Sequence, residues 1–346
     1  MRAPRLAPPG GLGEAAFEEL EVPSVPLRAR LTSTRIAAGA GLLILAASAC
    51  LLVYGLSQPA KWSTQTYAGG VLPGTDHVLQ PPFPTFTRLR LFDAKVHPQG
   101  EHLYLLGSDA GGHDLLELAA QGAVPSLLLV AIVVVARLAT GVVAGLSMAL
   151  GAGWVRALAR AAGGWAAGFP YLALAIVVIQ GLTPHSRPIA FVVGMALVGW
   201  RDIAEIVAER CEHVLGQLYA TAARSLGTQG WRFFQLHLWP HLRPALAVEV
   251  PFQAGAVLVL LAELGYLQVF LGSVIQLQDT GVGGGAIAVN QFVTRPELGQ
   301  LLANARISIL YHQLGPVLVP ALAITVLALG FELLGSAARG RTRVSW

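Results

Sequence analysis

Residues 124–150 read VPSLLLVAIVVVARLATGVVAGLSMAL, and Arg137 is the one charge in the run. Coiled as an α-helix, a stretch this long and this apolar crosses a bilayer. Five more runs lie on either side: 36–56, 165–182, 245–261, 315–334, and a shorter one that starts near 189 and passes Trp200 into a charged helix. The spacing predicts an all-α polytopic membrane protein with about six transmembrane helices. Composition agrees, because apolar residues make up 54% of the 346, charged residues 12%, and mean hydropathy is +0.61. A soluble chain carries about twice that charged fraction.

The pI near 9.3 would suit nucleic acid, but the basic residues sit beside the apolar runs. With the N-terminus inside, 15 of the 23 basic residues fall on the cytoplasmic side, seven fall outside and Arg137 lies within a span. The positive-inside rule favours this orientation, with both termini cytoplasmic. The chain then divides into a cytoplasmic arm (1–35), a first transmembrane helix (36–56) and an extracytoplasmic segment (57–123). A transmembrane core follows (124–337), holding a cytoplasmic loop (201–243) and an extracytoplasmic loop (262–313), and then a cytoplasmic tail (338–346). Ala47-Ser48-Ala49-Cys50 resembles a weak lipoprotein box, but the apolar run continues past it and the leading arm is too long. Cys50 lies in an apolar run and Cys211 in a charged helix, which gives no disulfide framework. The segments 57–123, with Pro81-Pro82-Phe83-Pro84, and 262–313, with Gly281 and Gly283-Gly284-Gly285, carry no repeat. Loops this long serve a partner or form a structured cap over the helices.

Residues 219–246 read YATAARSLGTQGWRFFQLHLWPHLRPAL. Ala222, Ala223 and Leu226 fall at near-helical spacing and make a small, smooth face. Gly227 permits a turn. Trp231, Phe234 and Leu238 make a second apolar face, and Pro240 and Pro244 are expected to break or kink the helix before the next span. Two short amphipathic helices follow, which pack on a protein partner or lie on the lipid surface.

The pattern Ala222-Ala223, then Gly227, then His237 and Pro240 resembles the EAA loop of the membrane permeases of binding-protein-dependent ABC importers. It is closest to the dipeptide, oligopeptide and nickel class. Leu106-Gly107-Ser108-Asp109 through Gly112-His113-Asp114 resembles the LGTDxxGRD motif of that class. Gly199-Trp200 and Ala204 fit the end of its preceding span, and Leu264-Gly265-Tyr266-Leu267 resembles its SLSFLG segment. Residues Gly299 to Arg306 resemble its WGxMLAEAR segment. Together these cover most of 104–337, and their order and spacing are more specific than any one of them.

The resemblance implies a type I importer fold in a prokaryotic inner membrane. Two permease subunits form the pathway, two ATPase subunits sit below, and an extracytoplasmic binding protein delivers a small solute, by default a peptide. It further implies that Thr221, Ala222, Ala223, Leu226, Gly227, Trp231 and Pro240 couple to the ATPase. Pro170, Pro251, Pro316 and Pro320 supply places for the spans to bend. The chain departs from the pattern at Thr221, where the family has Glu, and at His113, where it has Arg. It also carries Glu205 and Glu209 where arginines are usual, and His241 where Asn is usual. The expectation is that the acid has moved one helix earlier, to suit a co-adapted motor.

ATP and Mg are expected in the partner subunits only. A phosphate cradle needs a Gly-rich loop followed by Lys and Ser or Thr, and the two lysines, Lys61 and Lys95, do not follow Gly. Arg137 is expected to face the bundle or a cavity, as a pathway lining or as a structural partner of other buried groups. His237 and His241 are four apart, but Pro240 lies between them and no third ligand is near, so no metal site is expected. His97 and His102 are no better placed. Without a catalytic constellation the chain is read as a transport subunit and not an enzyme. A secondary transporter, a channel and a non-transport scaffold remain alternatives, although no inverted halves are visible.

Overall fold

The computed structural model describes residues 27–58, 67–74, 77–93, 98–182, 187–228, 230–269, 297–303, 308–309 and 312–342. Most of the N-terminal arm, Lys61, Lys95, His97, the glycine run at 283–285, residues 304–306 and the last four residues lie outside them. Four helical stretches are long and apolar enough to cross a membrane: Arg35–Ser57, Leu115–Leu150, Gly230–Tyr266 and Gly315–Gly340. The protein is an all-α polytopic membrane protein that carries one small sheet.

In chain order the elements are α1 (Leu27–Ser57), β1 (Tyr67–Val71), β2 (Val78–Leu79), β3 (Thr87–Asp93) and β4 (Pro98–Tyr104). Then come α2 (Leu115–Leu150), α3 (Gly153–Ala167), α4 (Tyr171–Leu182), α5 (Arg187–Leu215), α6 (Leu218–Ser225) and α7 (Gly230–Phe233). A π-helical turn (Phe234–Leu238) leads into α8 (Trp239–Tyr266), followed by α9 (Leu298–Ala303) and α10 (Gly315–Thr342).

Small residues set the helix pairings. Arg137, Gly141 and Gly145 recur every fourth residue on one face of α2. They meet Gly199, Ile203 and Val207, equally spaced on α5, so the two helices run parallel. A Cβ on Gly141 would come within 2.6 Å of the Ile203 Cβ, and one on Gly145 within 2.5 Å of the Ala204 carbonyl. Without a hydrophobic drive between helices in lipid, such close approach is the main source of packing energy. Gly41 of α1 meets the Gly330 carbonyl and Leu333 of α10. Gly255 and Phe252 of α8 meet Glu332 and Gly335 of α10 in antiparallel register.

The run expected to form the third span is two helices. Pro170 has no N–H to continue α3, and the Gly168 N–H turns back to the Trp165 carbonyl at 3.0 Å. The two pieces still follow α5 as an antiparallel partner. Arg160 pairs with Glu212 at 2.7 Å, the Tyr171 hydroxyl donates to Asp202 at 3.3 Å, and Gly194 packs on Ile179. Helix α5 itself runs as expected, from an apolar half through Trp200 into a charged half.

Two expected loops hold structure. Segment 57–123 contains an antiparallel sheet of order β2-β1-β3-β4, with a core of Tyr67, Phe83, Leu89, Leu91 and Tyr104. Helix α2 also starts at Leu115, not 124, because Asp114 caps it: its Oδ1 accepts from the Leu116 and Glu117 amides at 2.8 and 3.1 Å. In 262–313, α8 runs on to Tyr266 and every residue of α9 is buried. The backbones of Gly265 and Gly299 touch, and the Leu298 N–H donates to Ser126 Oγ at 2.9 Å. Helix α9 is thus wedged between α2 and α8. At the N-terminal end, α1 begins at Leu27, inside the expected arm.

Candidate functional site

At the end of the molecule away from the sheet, α5 passes through Gly216 into α6 and then into α7, which continues α8. Ala220 is fully buried and anchors α6 in a second apolar cluster with Ile203, Val207, Cys211, Val214, Phe233, Leu238 and Leu242. With Ala220 inward, Thr221 and Ala222 face outward and Ala223 is half-buried. Gly227 ends the helix with φ +87°, a conformation costly for any residue with a Cβ. The Gly227 N–H bonds the Arg224 carbonyl and the Thr228 N–H bonds the Ala223 carbonyl, both at 3.0 Å. That pair of bonds is a Schellman closure.

The exposed side of this hairpin is apolar. Leu218 is 89% exposed, Leu226 86% and Trp231 69%. Trp231 stacks on Phe234 with ring centroids 5.0 Å apart. The second apolar face read from the sequence therefore divides: Trp231 is outside, Phe234 half-buried and Leu238 inside.

Pro240 does not break the helix. The chain stays helical from Gly230 to Tyr266, because the π turn ahead of Pro240 widens the coil where its ring and missing N–H would disrupt an α-helix. His241 Nδ1 lies 2.9 Å from the His237 carbonyl, so its N–H donates to it across this turn. Both imidazoles also face the Tyr219 ring, at 6.1 and 6.5 Å, and the Arg224 guanidinium lies 5.1 Å from the Phe233 ring. Tyr219, Arg224, Phe233 and the two histidines thus clamp α6 to the start of the helical run Gly230–Tyr266. The signal for this clamp was present in Phe233, His237 and His241, spaced four apart, but its partner Tyr219 lies across the turn.

Charges nearby are partly committed. Glu205 pairs with Arg201 at 2.6 Å and Glu212 with Arg160 at 2.7 Å, while Glu209 is exposed. Glu249 and Arg339 join α8 to α10 at 3.5 Å.

Arg137 sits 3% exposed inside the bundle. Its Nε donates to the Met195 carbonyl and its Nη1 to Gln253 Oε1, each at 2.9 Å. The guanidinium fills the space left by the absent side chain of Gly199. One side chain thereby joins α2, α5 and α8.

The motif at 106–114 is a clasp. Asp109 Oδ1 accepts from the Gly111 and His113 amides, both at 2.9 Å, and its Oδ2 lies 2.8 Å from His113 Nδ1. Tyr104 donates to the Gly112 carbonyl at 2.8 Å, and His102 Nε2 lies 2.6 Å from Asp114 Oδ2. Burial pushes the Tyr67 and Tyr104 phenols well above their usual range, with nearby carboxylates adding to it, so both stay protonated. Asp114 therefore holds the sheet with one oxygen and the first turn of α2 with the other. Among the described residues, no cluster of three or more His, Cys, Asp or Glu has the geometry for a metal ion.

No protein-family model matches this chain, and no curated protein matches it. Among the solved structures that align with this chain, the crystal structure of an amino acid ABC transporter with histidines covers 63% of this chain and 91% of its own. Identity is 18% and the TM-score 0.44, a likeness too loose to fix a shared fold.

Proposed function

We propose that the chain is a permease subunit of an ATP-driven importer. It forms half of a pathway for a small solute, and the class its motifs resemble makes peptides the first substrate to try. One observation carries the reading. A Schellman-closed hairpin, clamped to a membrane-crossing helical run, presents Leu218, Leu226 and Trp231 to whatever lies beyond. An exposed apolar knob on a stiff support is what a separate subunit needs in order to push on the spans. The charge bias supports a cytoplasmic position for this end, where ATPase subunits would sit, with the sheet on the opposite side, where a binding protein would dock. The second permease would close the pathway, and ATP with Mg would bind the ATPase pair.

The test is co-expression with a second permease and ATPase subunits, followed by purification through this chain. Leu226→Asp combined with Trp231→Ser should lower the ATPase recovered about tenfold, the effect of losing a central interface anchor. Undiminished recovery, or solute uptake by the wild-type assembly without ATP, would overturn the proposal in favour of a secondary transporter, channel or scaffold.

A further inference from the structure

The hairpin built around Gly227 carries charge of one sign. From His213 to Val248 the chain has three arginines, three histidines and no acid. Arg224, Arg232 and Arg243 are all exposed. The ion pairs around them, Arg201 with Glu205, Arg160 with Glu212 and Arg339 with Glu249, use none of the three. The Arg224 guanidinium meets the Phe233 ring instead. The acids of α5 do not offset this charge. Glu205 and Glu212 are paired, and Asp202 takes the Tyr171 hydroxyl. Glu209 is exposed, about half a turn round the helix from Val207 and Cys211, which pack toward the hairpin.

The apolar anchors stand among these arginines. Trp231 adjoins Arg232 and is held in place by its stack on Phe234. Leu226 closes α6 two residues after Arg224. Between Leu218 and Leu226 the outward positions of α6 are Thr221, Ala222 and Ser225, all exposed. Side chains this small and polar gain little from acyl chains, and a helix that lies in a membrane surface shows large apolar residues there instead. They do let another backbone come close, as when a helix seats in a protein groove. Seating Leu226 and Trp231 in such a groove brings Arg232 to its rim, where an arginine that faces no carboxylate loses water and gains nothing in return. Tryptophan and arginine are also the residues that most often anchor a protein interface.

We infer that the partner seated on this hairpin offers a groove with an apolar floor and a rim of Asp and Glu, and that charge steers the two together. The inference rests on the importer reading, in which that partner is an ATPase subunit, and names the chemistry of its docking face. The full chain and the second permease are placed in phosphatidylcholine nanodiscs, and association of the purified ATPase subunit is timed at low and at high salt. At low salt Arg232→Glu should slow association about tenfold, Arg243→Glu should slow it too, and Arg232→Lys should keep most of the wild-type rate. Raising the salt should slow the wild type and close the gap. Association that ignores salt, or that the Glu variants leave unchanged or speed, overturns the inference and leaves the importer reading standing. An ATPase subunit that does not bind the wild-type assembly at all overturns both. A lipid partner is the other outcome to separate. In discs that contain phosphatidylglycerol and no ATPase subunit, native mass spectrometry should find as much of that lipid retained on Arg232→Glu as on the wild type. A marked loss in the variant would assign the arginine to the membrane and overturn the inference.

Discussion

Three residues show how single side chains set this molecule's behaviour. Arg137 is committed to a carbonyl and an amide on two other helices. Arg137→Leu would leave both acceptors unpaired and cost about 1–3 kcal/mol, read as a lower melting temperature in detergent. The pathway role is separable: full transport by Arg137→Glu in a folded protein would remove Arg137 from the pathway. Gly227 holds φ +87°. Gly227→Val should cost about 1–2 kcal/mol at that one position and weaken ATPase recovery, whereas Gly227→Asn should keep most of it. Thr221 is exposed on α6. If the acid has moved to α5, Thr221→Glu should bring no gain in transport with the native motor, and a large gain would refute the move. Thr221 and Gly227 were legible in the sequence as departure and turn. The bonding of Arg137 was not, because Met195 and Gln253 lie 58 and 116 residues away.

At the scale of elements, long apolar helices were legible because twenty or so uncharged residues have few other ways to satisfy their backbone in lipid. The sheet between β1 and β4 was not. Its strands are short, Gly70 and Gly100 interrupt the alternation, and the core it builds has five side chains. The third span misled for a local reason: hydropathy runs through Gly168-Phe169-Pro170, while the hydrogen bonds stop there. Pro240 misled in the opposite way, because a π turn absorbed it. Two elements lend themselves to test. Gly145→Leu should wedge α2 from α5 and cut the yield of folded protein, with Val207→Ala in the same molecule restoring part of it. Asp114→Ala should cost about 0.5–2 kcal/mol of helix capping. Hydrogen exchange should quicken in the first turn of α2 and in β4 together, since the contact from His102 to the Asp114 carboxylate goes at the same stroke.

For the whole molecule, the sheet and the hairpin sit at opposite ends of the bundle. Phe86 is 77% exposed on the sheet side and Leu226 86% exposed on the other. In intact cells an impermeant maleimide should label Phe86→Cys and spare Leu226→Cys, and inverted vesicles should reverse the pattern. Labelling of both from one side would overturn the six-span arrangement.

The parallel pairing of α2 with α5 has a mechanical meaning. Helix α2 is about 54 Å long at 1.5 Å per residue, is bolted to the sheet through Asp114, and meshes tooth for tooth with α5, which leads straight into the hairpin. The pair α3 and α4 beside them is interrupted at 168–170. Under the proposed coupling, a push on the hairpin would meet a stiff rod on one side and a break on the other. Such a pair would convert thrust into a swing, with the sheet, fixed to the rod, as its pointer.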